Sequence, residues 1–98
     1  MLYSLTDKLD FSDDPIIEVN GKKLTVNADA KTVLKLMAIA NDGDEVKAML
    51  EAEKLLFSDK DRKVIDSMNL SMKNYTTLIT VAMQLSAGED PDAEATGE

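Results

Sequence analysis

Residues 16–26 read IIEVNGKKLTV, and this stretch predicts the structure of the N-terminal part of the chain. Two alternating apolar and polar runs flank the dipeptide Asn20-Gly21. Asn-Gly is the strongest short signal for a β-hairpin, because a type I′ turn needs two residues that tolerate positive φ. With Asn20-Gly21 as the two-residue loop, Ile17 lies opposite Leu24.

The two faces of the predicted hairpin differ in chemistry. On one face Glu18 lies opposite Lys23, which is a favourable cross-strand pair. The other face gathers the apolar residues Ile17, Val19, Leu24 and Val26. An isolated hairpin is marginally stable in water, so we expect the apolar face to pack on the helices that follow.

Four helices are predicted after the hairpin, over about 30–41, 45–57, 59–69 and 72–87. Their N-caps are Asp29, Asp44, Ser58 and Ser71, and Gly88 ends the last helix at the C′ position. Helix one turns Val33, Leu36, Met37 and Ala40 inward, and Leu34 and Ile39 widen this stripe as in a central helix. Helix four is rich in β-branched residues, so a strand is its alternative. The fold class is mainly α (α+β), with an N-terminal β-hairpin packed on a bundle of about four helices.

The chain is poor in the side chains that enzymes use. Its 98 residues include no histidine, cysteine or tryptophan, and Arg62 is the single arginine. Most enzymes working near neutral pH need a group poised to move a proton or attack a substrate. We therefore expect no enzymatic activity, no catalytic residue, no metal site and no cofactor. The acidic stretch 41–45 is better explained as an interhelical turn with a helix cap than as a cation site.

The net charge of −8 is concentrated at the two ends of the chain. Residues 1–14 carry four acids and one lysine, net −3, and residues 89–98 carry five acids, net −5. Residues 15–88 contain ten of each sign. We predict an N-terminal arm (1–14) docking on its own core or on a neighbour, a hairpin and helical domain (15–88), and a disordered acidic tail (89–98). Scattered, balanced lysines and the lack of a long apolar run argue against nucleic acid and membrane as partners.

Helices two and four have wider apolar arcs than one small core needs, roughly 220° and 200° of their circumference. Helix two is either the buried centre of the bundle or packs on the core and on another chain, with Glu53 as a salt-bridged or snorkelling acid. Flexible methionines on these arcs suit an adaptable contact surface. The predicted partner-binding residues are Met49, Leu50, Leu56, Phe57, Met72, Tyr75, Ile79 and Met83.

The order of hairpin, helices and acidic tail resembles the small tail assembly chaperones of long-tailed phages and prophages of Gram-positive bacteria. The run 17–37, IEVNGKKLTVNADAKTVLKLM, carries most of this resemblance, with Leu56-Phe57-Ser58 and the stretch 88–91 adding to it. The resemblance implies a protein of the host bacterial cytoplasm that binds the phage tape measure protein and keeps its apolar helices soluble during tail assembly. It also implies a homo-oligomer and a longer, frameshifted form of the chain as partners.

Two other functions remain open from the sequence. One is an acidic inhibitor or regulator of a host nucleic-acid enzyme, acting by mimicry of phosphate charge. The other is a small virion connector protein. Removing the tail should abolish mimicry through it and leave chaperoning largely intact, whereas a connector would be found in finished particles.

Overall fold

A computed structural model describes residues 1–10, 12–41 and 43–92 of the chain. A short 3-10 turn, Thr6–Lys8, is followed by strands β1 (Ile16–Val19) and β2 (Lys22–Thr25). Four helices complete the fold: α1 (Ala30–Ala40), α2 (Glu45–Leu56), α3 (Asp59–Ser67) and α4 (Met72–Ser86). The predicted class, mainly α with an N-terminal hairpin, is confirmed, and α4 is a helix in spite of its β-branched residues.

The hairpin has the predicted register. Strands β1 and β2 are antiparallel, with Ile17 opposite Leu24 and Glu18 opposite Lys23. Asn20 has φ +50° and Gly21 has φ +82°, so both turn residues adopt the left-handed backbone that a type I′ turn requires. The turn sequence therefore sets which residues of the hairpin face the core.

All four predicted N-caps close their helices. The side chains of Asp29, Asp44, Ser58 and Ser71 each accept a hydrogen bond from the backbone N–H three residues further on. Thr32 donates both its hydroxyl and its N–H to Asp29, which lowers the pKa of that carboxyl. These bonds satisfy donors that a helix leaves free at its N-terminus.

The core lies where the hairpin face meets the helices. α2 packs against α1, α3 and α4, so it is the central helix of the bundle. Ile17 and Val19 pack against the core from the hairpin. The buried apolar residues are Leu24, Val26, Leu36, Ala52, Leu56, Phe57, Ile65, Leu78, Ile79 and Ala82.

Asn27 connects the hairpin to two helices. Its N–H donates to the Leu56 carbonyl at 2.8 Å, and its side-chain Nδ2 donates to the Leu55 carbonyl at 2.9 Å. Its own carbonyl accepts from the hydroxyl of the buried Ser86 at 2.7 Å. The segment after β2 is thereby fixed to the C-terminal ends of α2 and α4.

The two ends of the chain differ in how far the structure describes them. Residues 1–10 of the N-terminal arm are all exposed, so in this structure the arm does not dock on its own core. Phe11 lies outside the described residues, as do positions 93–98 of the predicted disordered tail. Gly88, at φ +82°, follows α4, and the Glu89 N–H donates to the Gln84 carbonyl in a Schellman-type ending.

Candidate functional site: apolar surfaces on the helices

Three of the eight predicted partner-binding residues lie in the core. Leu56 is 0%, Phe57 1% and Ile79 2% exposed. α2 packs against α4, and these three side chains belong to the same buried cluster as Leu24 and Val26, so they hold the monomer together. A partner cannot reach these three side chains without opening the fold, and their assignment to partner contact stays a prediction.

Three more predicted residues are half-buried at the edge of the core. Met49, Tyr75 and Met83 all pack against the buried cluster while keeping part of their surface accessible. Each contributes to the fold and borders a groove or the solvent. The remaining two, Leu50 and Met72, are exposed, at 53% and 67% respectively. Only these two present most of their apolar surface to solvent.

Helix α1 is more exposed than the sequence pattern predicted, because that pattern is typical of a helix at the centre of a bundle. Leu36 and the hydroxyl-bearing Thr32 are its buried residues, whereas Leu34 is 63% and Met37 60% exposed. α1 packs on α2 and α4 through one side only. At 100° per residue, Ala30, Leu34 and Met37 form a stripe at i, i+4 and i+7 on another side. This i, i+4, i+7 spacing is visible in the sequence, but the sequence of one helix does not show which of its apolar stripes faces the core.

An apolar groove runs between α1 and α4, and we call it the α1–α4 groove. It consists of two adjoining depressions that share Val33 and Ala87. The residues Asp10, Ser12, Asp13, Asp14 and Pro15, at the base of the N-terminal arm, line one of these depressions. The apolar residues of α1, α4 and the segments beside them that line the groove are Ala28, Ala30, Val33, Leu34, Leu36, Met37, Ala40, Met83, Leu85 and Ala87.

A second surface, which we call the α2–α3 groove, has a different character. Val46 and Leu50 form an exposed i, i+4 stripe on α2. Charged side chains of both signs surround this stripe, namely Asp44, Lys47, Glu51, Glu53, Lys54, Arg62 and Asp66. None of these residues also lines the α1–α4 groove. A third depression shares Ala40 with the α1–α4 groove and Asp44 with the α2–α3 groove.

Glu53 lies at the inner edge of the α2–α3 groove and is buried. Its carboxylate accepts a hydrogen bond of 2.6 Å from the hydroxyl of Tyr75 on α4. The sequence predicted that Glu53 is a salt-bridged or snorkelling acid. In the structure the hydrogen bond from Tyr75 stabilises its carboxylate instead. Burial, followed by the bond to Glu53 and the negative charges of Glu53 and Asp66, raises the pKa of Tyr75 above its ordinary value.

Within the described ranges, no group of three or more acidic side chains is placed to hold a metal ion. No helix of the part of the chain described here is long and apolar enough to cross a bilayer. The chemistry that stands out is the exposed apolar surface on α1, α2 and the N-terminal arm. An apolar surface of this kind is suited to contact with another polypeptide.

These features define a small, mainly α-helical protein with an N-terminal hairpin and two grooves that expose apolar side chains. No protein-family model, no curated protein and no solved structure matches the chain.

Proposed function

We propose that this chain is a phage tail assembly chaperone. It acts in the host bacterial cytoplasm, binds hydrophobic helical segments of the tape measure protein, and keeps that protein soluble until the tail assembles around it. The observation that supports this proposal best is the exposure of large apolar side chains on helices whose buried faces already supply a core. The resemblance of residues 17–37 to this family supports it independently.

The α2–α3 groove is the proposed contact for the partner. Val46 and Leu50 present two apolar side chains one helical turn apart, which is how a groove receives the apolar face of an amphipathic helix. Lys47, Lys54 and Arg62 border this stripe together with four acidic side chains. We expect the preferred client segments to be apolar helices with charged residues of both signs flanking their apolar face.

The uneven charge of the chain is consistent with a chaperone role. The helical domain is neutral, while the ends carry −3 and −5. A protein coating an apolar partner needs a source of repulsion between complexes, because neutral assemblies tend to associate. Acidic ends supply this repulsion without placing like charges at the contact surface.

Co-expression with the tape measure protein tests the proposal. Val46→Asp/Leu50→Asp should abolish solubilisation of the partner, because two carboxylates then interrupt the apolar stripe. The matched control is Ala38→Asp/Thr80→Asp, which adds the same charge at exposed positions outside both grooves. Circular dichroism verifies that both variants fold. If the folded groove variant solubilises the partner as well as wild type does, the proposed contact is wrong.

Truncation at residue 89 tests the function against acidic mimicry. This variant keeps the Glu89 N–H that bonds the Gln84 carbonyl, so α4 retains its ending. Chaperoning should survive in large part because both grooves are intact. Complete loss of partner solubilisation in the truncated chain would contradict a chaperone that works through its helices.

A further inference from the structure

We propose that the N-terminal arm of one copy of this chain docks in the α1–α4 groove of a second copy. The inference concerns self-association and stands apart from the proposed function. It starts from two apolar surfaces on one chain that both lack a partner. The arm exposes Leu2, Tyr3, Leu5 and Leu9, and the groove exposes Leu34 and Met37.

The arm has the length that the groove requires. α1 contains 11 residues and is therefore about 16 Å long. Residues 2–9, of which Thr6–Lys8 form a 3-10 turn, reach roughly 22 Å at about 3.3 Å per extended residue and about 2.0 Å per 3-10 residue, so the arm and its apolar side chains can follow the whole helix. Burying those side chains removes apolar area from water on both partners, which drives association.

The docking segment, residues 2–9, carries one acid, Asp7, and one base, Lys8, so the two charges cancel. Asp10, Asp13 and Asp14 line the depression that the arm's base shares with α1 and α4. Docking of the arm in this groove therefore rests on apolar contact and not on opposite net charge.

Geometry favours exchange between two copies over closure within one chain. Residues 1–10 are exposed, and Leu2 is 94% exposed, although the base of the same arm lies at the groove. Asp10 accepts hydrogen bonds from the N–H and hydroxyl of Ser12. Pro15 restricts Asp14 to extended backbone. Because each copy has both the arm and the groove, reciprocal exchange closes a two-fold dimer.

Introduced cysteines give a direct test, because the natural chain has none. Leu5→Cys protein mixed with Met37→Cys protein should form a disulfide between the two chains under mild oxidation. Leu5→Cys mixed with Lys63→Cys is the control, since Lys63 is exposed on α3 outside both grooves. Equal cross-linking of both mixtures would overturn the inference. A Leu5→Cys/Met37→Cys double variant that links only within one chain would also overturn it, in favour of closure on its own groove.

Sedimentation equilibrium measures how much the arm contributes to the affinity between two copies. Leu5→Asp/Leu9→Asp should raise the dimer dissociation constant about tenfold or more, because each side chain leaves an apolar site. Ser4→Asp/Thr6→Asp adds the same charge at polar arm positions and should change it much less. The described residues of the arm, 1–10 and 12–14, are all exposed, so these variants should keep the fold. Wild-type protein that stays monomeric at millimolar concentration, or a dimer that both variants leave equally strong, contradicts arm exchange.

Discussion

The hydroxyl of Tyr75 on α4 donates a 2.6 Å hydrogen bond to the carboxylate of Glu53 on α2. This bond joins the central helix to the last helix and gives the buried carboxylate a hydrogen-bond donor. The hydrogen bond offsets the desolvation cost of the buried carboxylate, whereas removal of the donor leaves that cost uncompensated. The pair therefore stabilises the packing of α2 on α4.

Tyr75→Phe should lower the free energy of unfolding at pH 7 by about 1–2 kcal/mol, because Glu53 then lacks this donor. Urea unfolding followed by circular dichroism measures the change. Tyr3→Phe is the matched control, since Tyr3 is exposed in the N-terminal arm. Equal stability of Tyr75→Phe and wild type would show that the carboxylate gains nothing from the bond.

The same pair should make the protein sensitive to alkaline pH. The pKa of Tyr75 is higher in the folded state than in the unfolded state, where it is about 10. The unfolded chain therefore releases this proton first, and the stabilisation present below pH about 10 falls as pH rises above it. The stability difference between wild type and Tyr75→Phe should shrink from pH 9 to 11. A constant difference over that range would contradict the raised pKa.

Two leucines on one helix should respond very differently to truncation. Leu56 is fully buried and Leu50 is more than half exposed, although both lie on α2. Leu56→Ala should destabilise the fold by about 2–5 kcal/mol through the cavity it creates. Leu50→Ala should change stability by about 0.5 kcal/mol or less. Thermal or urea unfolding of the two variants checks both values, and similar losses would refute the assignment of Leu50 to the surface.

Ser86→Ala removes a buried hydroxyl and leaves the Asn27 carbonyl without the bond it accepts at 2.7 Å. We expect a loss of about 1–3 kcal/mol in the free energy of unfolding. Ser67→Ala serves as the control because Ser67 is exposed and bonds only within its own helix. Amide exchange at Asn27 should also accelerate in Ser86→Ala, and unchanged exchange there would contradict the role of the bond.

Features with local causes could be predicted from the sequence. The register of β1 and β2 follows from Asn20-Gly21, because a two-residue turn of this type permits one pairing. The helix starts follow from Asp29, Asp44, Ser58 and Ser71, whose side chains satisfy donors only three residues away. These interactions need no knowledge of how the helices are arranged.

The exposed apolar surfaces could not be predicted from the sequence, because they depend on how the helices are arranged. Leu34 and Leu56 both lie on broad apolar arcs, and only the positions of neighbouring helices make one exposed and the other buried. Periodicity gives the direction of an apolar face relative to its own helix axis, but not which neighbour covers it. The hydrogen bond between Glu53 and Tyr75 could not be predicted for the same reason, because the two residues lie 22 positions apart in the sequence.

The three hydrogen bonds at Asn27 have a consequence for the growing polypeptide on the ribosome. They join positions separated by 28, 29 and 59 residues, and Ser86 is the last of these positions to be synthesised. The packing around Asn27 therefore cannot be completed before Ser86 has left the ribosome. Until then Leu24 and Val26 are not enclosed by the complete core, and exposed apolar surface of this kind favours aggregation.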